Sequence, residues 1–302
     1  MFHLHHHYIR PIGPEDAAAL FVVQAAIEPV DAGGMLEWVG ELEERLESGA
    51  LAWVVVRGRK LAGYAAIDPV PGLPGVYDLS GGIVPAWRGQ GLGTRLLRHV
   101  QDAAGPAGAR YLSCRVDSLG VGTARFLLGR DFYVEHEECL LELADLAILP
   151  PVPESPAADL LTMPAERAAT EFCRVYNESF AGRPWSQPYS EAEVSALLVN
   201  PEDLLFAVVD GRAVGVVWHE VLTDGRGRVE PLGIVPQYQG QGLGRRLLLA
   251  ALHDLQRHGA GVLEIGVWRD NRVALNLYRS LGFQERDNWY FVACDVVGRT
   301  ED

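Results

Sequence analysis

The chain has 302 residues, 48% of them hydrophobic, and a formal net charge of −14. That length fits two domains of about 150 residues each, and the acidic balance argues against a nucleic-acid scaffold, because counterion release needs a basic surface. No apolar run approaches the roughly 18 to 20 residues that span a bilayer, and no n-region, h-region and cleavage site opens the chain, so a cytoplasmic protein without membrane contact is expected.

The opening MFHLHHHYIR concentrates four of the nine histidines. With no carboxylate or cysteine partner nearby it reads as a tag-like or flexible tail, not a metal site. Cys114, Cys139, Cys173 and Cys294 are scattered without a C-x-x-C pair. Neither a zinc ribbon nor a disulfide framework follows, and no metal is expected.

The first strong pattern is VPAWRGQGLGTRLL from Val84 to Leu97, and it returns as VPQYQGQGLGRRLL from Val235 to Leu248. Gly91 and Gly242 stand 151 apart, as do Pro85 and Pro236, and half of 302 is 151. The register holds through Gly108-Ala109 against Gly259-Ala260 to Phe132 against Phe283. Upstream, WVVVRGR from Trp53 matches FAVVDGR from Phe206 at an offset of 153, so a loop there differs in length. A repeat this long is a duplicated domain and not a solenoid unit. Between the copies, ILPPVPESP from Ile148 to Pro156 carries four prolines in nine residues and suits an extended linker. The boundary is placed near residue 152, giving domains of 1–150 and 151–302.

In the second copy, Leu204 to Val209 and Ala213 to His219 flank Asp210-Gly211 and read as a hairpin. Val229 to Val235 is a further strand. Leu247, Leu248, Ala251, Leu252 and Leu255 then fall on one face of a helix that stops at Gly259. Val262 to Val267 is another strand, Asp270-Asn271 can cap a helix running to Ser280 with Gly282 just past its end, and Trp289 to Val297 supplies a last strand. The order predicts an α/β fold, with a mixed sheet and helices in each unit.

Between strand and helix, Gln239-Gly240-Gln241-Gly242-Leu243-Gly244 presents backbone N–H groups toward one point, where the helix dipole favours an anion. A tight turn without a ligand is the plain alternative. The spacing is neither the G-x-G-x-x-G of dinucleotide folds nor the Lys-Ser/Thr ending of a nucleoside triphosphate loop.

V-x-P-x-x-[QR]-x-x-G-x-G/A resembles the acyl-CoA pyrophosphate signature of the GNAT acetyltransferase superfamily, and both copies carry it. WRDNRVALNLYRSLGF from Trp268 to Phe283 resembles that superfamily's second signature. Tandem organisation with VYNESFAGRPW from Val175 to Trp185 is similar to the mycothiol synthases, although the position of their acid, two before Glu230, is Arg228 here. The resemblance implies two tandem GNAT-type domains and acetyl-CoA as cosubstrate. It implies CoA contacts from Leu232, Gly233, Ile234, Gln239, Gly240, Gln241, Gly242, Leu243, Gly244, Arg245, Asn271, Ala274 and Tyr278. In the first copy the corresponding residues are Ile83, Arg88, Gly89, Gln90, Gly91, Gly93 and Thr94.

Acetyl transfer to an amine needs removal of the ammonium proton, stabilisation of charge on the carbonyl oxygen and protonation of the leaving thiolate. The resemblance implies N–H groups at Leu232-Gly233-Ile234, at a bulge, for the second need and Tyr278 for the third. Reference pKa values of about 10 for phenol and 8.5 for thiol leave a small uphill step. A core tyrosine is the alternative for Tyr278. Glu230 is the candidate base, with Glu220 and His219 competing and an exposed edge glutamate as the plain alternative. The acceptor wall is placed on the loop after the first helix of the second unit, holding Asn177, Glu178, Phe180, Arg183 and Trp185. Glu178, Trp185 and His219 are taken as substrate contacts.

The first copy has Leu127 where Tyr278 stands, Gly120 for Asn271 and Leu79 for Glu230. The expectation is therefore an acetyl-CoA-dependent N-acetyltransferase acting on a primary amine of a small molecule, with catalysis in the second copy. A silent acyl-CoA sensor or scaffold, and a peptide or protein N-terminal acetyltransferase, are the alternatives. Two fused units form a pseudo-dimer, so a monomer is expected.

Overall fold

The computed structural model describes residues 7–27, 44–45, 49–120, 122–154, 158–183 and 186–296. His3, His5 and His6 of the opening stretch, and the acceptor candidate Trp185, lie outside the described residues. The chain forms two compact units, residues 1–135 with 291–302, and residues 136–290.

In the first unit the strands are β1 (His7–Pro11), β2 (Leu51–Arg57), β3 (Lys60–Pro69), β4 (Val76–Ile83) and β5 (Tyr111–Val116). They lie in the order β1-β2-β3-β4-β5. Only β4 and β5 run parallel, because a helical crossover separates them. Helix α1 (Ala17–Ile27) packs Leu20 and Val23 onto Val54, Val56 and Tyr64. Helices α2 (Leu92–Ala104) and α3 (Gly122–Leu128) follow the two parallel strands.

Strand β6 (Tyr133–Leu143) enters the second unit at His136, well before the proline-rich stretch. Then come β7 (Asp159–Leu161), α4 (Ala165–Phe180), α5 (Glu191–Leu197), β8 (Leu204–Val209), β9 (Arg212–Val221), β10 (Arg226–Ile234), α6 (Leu243–Arg257), β11 (Val262–Trp268), α7 (Arg272–Ser280) and β12 (Gln284–Asp295). The sheet of this unit runs β12-β6-β11-β10-β9-β8-β7, and β12 passes from Phe291 onward into the first unit beside β5. There Val296 N–H donates to Arg110 O at 2.9 Å. The linker near 152 marks the seam of the repeat in sequence, while the compact bodies change at 135/136 and 290/291.

Local chemistry explains the elements. Asp210 and Gly211 both have positive φ (49° and 78°), the hairpin turn that an Asp-Gly pair supports. Helix α6 ends at His258 with Gly259 at φ 90°, and Asn271 caps α7 by accepting from Ala274 N at 3.2 Å. Ser190 and Glu193 form a capping box that starts α5, a short helix that the hydrophobic pattern alone does not reveal.

The sheet of the second unit is covered on both faces, and its side chains alternate accordingly. Leu204 and Phe206 of β8 join Phe172, Val175 and Tyr176 of α4. Val229 of β10 and Leu263 and Ile265 of β11 join Leu247, Leu248, Leu252 and Leu255 of α6 and Leu275 and Tyr278 of α7.

Candidate active site

Strand β10 parts from β11 midway. Its parallel register with β11 ends at Arg228↔Glu264, whereas its antiparallel register with β9 runs on to Ile234↔Gly215. The bulge lies between Val229 and Leu232, at Glu230-Pro231, upstream of its expected place at Leu232-Gly233-Ile234. Proline has no N–H to give a ladder, so the interruption falls where Pro231 stands. Leu232, Gly233 and Ile234 pair with Val217, Val216 and Gly215. In an antiparallel ladder only alternate residues bond to a given neighbour, so this stretch directs the remaining N–H toward the gap that β11 leaves open.

Glu230 stands at the head of that gap. A Cβ on Gly266 of β11 would lie 3.1 Å from Glu230 Oε2, so the glycine makes room for the carboxylate. The Glu230 residue keeps accessible surface, yet protein atoms crowd around its carboxylate. Desolvation therefore pushes its carboxyl above the usual range, Glu138 and Glu264 push the same way, and Arg228 opposes them.

Tyr278 is 5% exposed and packs in the α6 core, its ring 6.2 Å from that of Phe283. Burial raises its phenol well above the ordinary value, and the charge of Glu230 raises it further. The step from phenol to thiolate is thus larger than the reference values suggest. The helix that carries Tyr278 is held by Asn271, whose Oδ1 is taken up by the cap, and Ala274 supplies the N–H to it. On the other face, Tyr176, Tyr189 and Phe180 form an aromatic wall with centroids 4.7 and 5.1 Å apart, and Phe180 meets Trp268 at 6.5 Å. Tyr176 is pushed up to about 12 by burial, and Glu230 raises both it and Tyr189. These two tyrosines and Gly266 carry no assignment from sequence; a glycine inside a strand was the available signal.

The loop is built as its glycines require. Gly240 and Gly242 have φ of 74° and 81° with nothing within 4 Å of where a Cβ would sit. Gly242 starts α6 without a side-chain cap, and the first helical bond is Arg246 N to Gly242 O at 3.1 Å. The N–H groups of Leu243, Gly244 and Arg245 therefore have no intrahelical acceptor. Gln239 Nε2 donates to Ile234 O at 2.8 Å, Gln241 Nε2 to Gln237 O at 3.3 Å, and Arg245 Nη1 to Ser280 Oγ at 2.9 Å. An uncapped, glycine-lined helix start at the end of a parted strand fits a diphosphate joined to a thioester arm.

The first unit repeats the loop. Gly91 has φ 79° and ψ −2° against 81° and −1° at Gly242. Arg88 Nε donates to Ile83 O at 2.7 Å, the bond that Gln239 makes in the second unit. Gln90 accepts from Arg57 at 2.7 Å, Thr94 accepts from Arg130, and Gly93 lies under Phe126. Gly89 again has positive φ, 73°.

Four acceptor-side candidates, His219, Asn177, Glu178 and Phe180, sit elsewhere than the sequence suggests. His219 pairs across the ladder with Val229 and is turned to the α6 side, where Nε2 meets Asp254 Oδ2 at 3.1 Å. It does not join Glu230. Asn177, Glu178 and Phe180 belong to α4 itself and not to a following loop, because Phe172, Tyr176 and Phe180 at four-residue spacing extend its buried stripe. Glu178 is bridged by Arg174 at 2.8 Å and Arg212 at 2.9 Å, which lowers its carboxyl and answers its charge. Glu220 faces Arg228 at 3.9 Å.

A helix-covered mixed sheet with a parted strand and a glycine-lined helix start defines an acyl-group transferase fold, present here twice. The acetyltransferase (GNAT) family profile matches residues 19–132 and again residues 169–283, and the chain belongs to that family as a tandem member and an acyltransferase enzyme. A mycothiol acetyltransferase of Thermomonospora curvata is 34% identical over 233 residues, 74% of this chain and 75% of that protein. Another, of Thermobifida fusca, is 29% identical over 305 residues, covering 90% and 93%. Among solved structures, a GCN5-related N-acetyltransferase from Sphaerobacter thermophilus has a TM-score of 0.70 at 22% identity, covering 96% of each chain. A tandem GNAT protein from the clavulanic acid biosynthesis pathway has a TM-score of 0.66 at 20% identity, covering 96% of this chain and 99% of that one. Among the described residues no helix is long and apolar enough to cross a membrane.

Proposed function

We propose that the protein moves the acetyl group of acetyl-CoA to a primary amine of a small molecule, and that the second copy carries out the chemistry. The observation that carries this reading is Glu230: a carboxylate of raised pKa, lodged against Gly266 where β10 and β11 part, with Tyr278 inside its field. The name shared by the relatives, mycothiol acetyltransferase, supports a small-molecule acceptor over a protein one.

Acetyl-CoA supplies the electrophilic acetyl carbon and a sulfur that leaves as thiolate. The N–H groups of Leu243, Gly244 and Arg245 and the loop from Gln239 would hold its diphosphate, and the free N–H of the Leu232-Gly233-Ile234 stretch would face its carbonyl oxygen. Glu230 takes one proton from the acceptor's ammonium, which frees the nitrogen lone pair to form the N–C bond as the C–S bond breaks. Tyr278 gives its proton to the departing sulfur and recovers the second amine proton. Glu230 then releases its proton to water.

The order matters electrostatically. Ionised Glu230 raises the phenol. Once Glu230 has accepted the ammonium proton that opposition ends, and Tyr278 becomes a better donor at the step that needs one. The aromatic wall of Tyr176, Tyr189 and Phe180 lies on the Glu230 side and suits an ammonium before it is deprotonated.

The test is release of free thiol from acetyl-CoA in the presence of a panel of primary amines. Wild type should turn over with at least one amine, and Tyr278→Phe should lower kcat by about 10²-fold or more. Wild-type rates at background for every amine, with CoA bound, would instead favour a silent acyl-CoA sensor. Tyr278→Phe at the wild-type rate would remove the phenol from the chemistry.

A further inference from the structure

Acetyl transfer as proposed above needs an acceptor beside Glu230, and the sheet face that carries Glu230 constrains what that acceptor is. In the ladder between β11 and β6, Gly266 stands opposite Leu140 and Trp268 opposite Glu138. Residues directly opposite one another share a face, and so do residues two apart on one strand. Gly266 makes room for Glu230, and Trp268 meets Phe180 of α4, so Glu138 lies on the Glu230 side of the sheet and not among the α6 core residues.

The carboxylates of this face are answered unevenly. Glu142 of β6 receives Arg226 at 2.9 Å and Arg286 at 3.0 Å, and Glu264 of β11 receives Arg226 at 3.5 Å. Glu138 has no such cation. It accepts the indole N–H of Trp289 at 2.9 Å and meets His136 Nε2 at 3.3 Å, and its side chain is 23% exposed. A carboxylate offers about four lone-pair sites, so acceptor capacity is left over. Arg228, two residues before Glu230 on β10, makes its contacts with Glu220 and Glu264, at 3.9 Å each. Among the described residues no arginine or lysine stands at ion-pair distance from Glu138 or Glu230. The two acids also feel each other: of the charges that raise the Glu230 carboxyl, Glu138 is the largest.

The ground between them is apolar and low. β11 is the one strand that separates β10 from β6, and at Gly266 it has no side chain, with Leu140 opposite. Two strand steps are about 10 Å, and more where β10 has parted from β11. A short aliphatic chain with a positive charge at each end matches that span, and the rings of Trp268 and Phe180 offer it further apolar surface.

We infer that the acceptor is a diamine with two ammonium groups on a short aliphatic chain: one nitrogen loses its proton to Glu230 and takes the acetyl group, while the other keeps its charge against Glu138, with the stem across Gly266 and Leu140. This rests on the acetyl-transfer reading and narrows it. One N–C bond forms and one C–S bond breaks as written above, and the second ammonium enters and leaves with all its protons. Glu138 is then a specificity-determining residue.

Cadaverine is the probe, and aminopentanol, in which a hydroxyl replaces the second ammonium, is its control. Both are assayed with the full chain by thiol release from acetyl-CoA, at a pH above the acid limb so that Glu230 is ionised. Wild type should use cadaverine at least about tenfold better in kcat/KM, chiefly through KM, because one charge-assisted contact is at stake. Glu138→Gln should cut that preference to about twofold or less, and Glu138→Asp, which keeps the charge, should retain most of it. A merely structural Glu138 would slow both substrates alike and leave their ratio unchanged. Added salt should shrink the wild-type preference, a measurement that holds even if Glu138→Gln does not fold. The inference is overturned if wild type uses aminopentanol as well as cadaverine, if it acetylates a monoamine but not cadaverine, or if folded Glu138→Gln keeps the preference. Those results leave the acetyl-transfer reading standing, whereas no turnover of any amine would sink that reading and this inference with it.

Discussion

The two copies agree where they need only backbone and differ where they need protons. Their loops superimpose in conformation, Gly91 and Gly242 differing by no more than two degrees in φ. The strands before the loops do not match. In the first copy β4 stays in register with β3 without a break from Pro69↔Tyr77 to Gly63↔Ile83. In the second, β10 slips against β9 at Glu230-Pro231. The unbroken strand carries Leu79 and Ser80 at that place, the slipped one a glutamate aimed at Gly266. The glycine loop is a sound strand-to-helix turn in both copies, whereas the poorly solvated carboxylate stands at the slipped strand of the second copy.

The sharpest way to break this comparison is Glu230→Gln. It should lower kcat/KM by about 10² to 10⁴-fold, with folding intact by circular dichroism. It should also raise the melting temperature at neutral pH. A carboxyl whose folded pKa is raised gives stability that is complete below its unfolded pKa and lost as pH rises through the folded value, so the advantage of the variant should vanish in acid. A variant no more stable than wild type at pH 7 would mean that Glu230 is not poorly solvated.

Next in size is the contrast between Gly242→Asp and Gly91→Asp. Each forces a side chain into positive φ and sets a carboxylate at an anion cradle. If only the second copy turns over, Gly242→Asp should weaken CoA in the turnover assay by about tenfold or more, and Gly91→Asp should leave the rate within about twofold. Equal loss in two folded variants would defeat the division of labour.

Gly266→Ala should have a smaller effect. Its Cβ would press within 3.1 Å of Glu230 Oε2, so kcat should fall by about tenfold with little change in melting temperature. The smallest effect is a displacement in pH. The acid limb of kcat/KM should lie above the ordinary glutamate range, and Glu138→Gln, by removing one charge that raises Glu230, should move that limb to lower pH. An unmoved limb would assign it to another group.

Much of this was legible in the sequence, and the reasons are local. The duplicated loop, the Asp210-Gly211 hairpin and the Asn271 cap each depend on residues a few positions apart, so type and spacing suffice. What was illegible depends on the facing strand or helix. His219 and Glu230 are both plausible bases by composition, and only the pleat separates them onto opposite faces. Glu178 reads from sequence as a magnet for ammonium, but Arg174 and Arg212, four and 34 residues away, hold it. The place of the bulge follows from Pro231, whose missing N–H interrupts the ladder only in the context of the facing strand.

The passage of β6 and β12 between the two compact bodies has a consequence for the history of the chain. Each body borrows its border strand from the far copy, so a gene severed at the prolines would yield two proteins that each leave a sheet edge bare and carry a homeless strand. Fusion of this kind works as a ratchet: after the exchange, either copy could drift in sequence but neither could be shed.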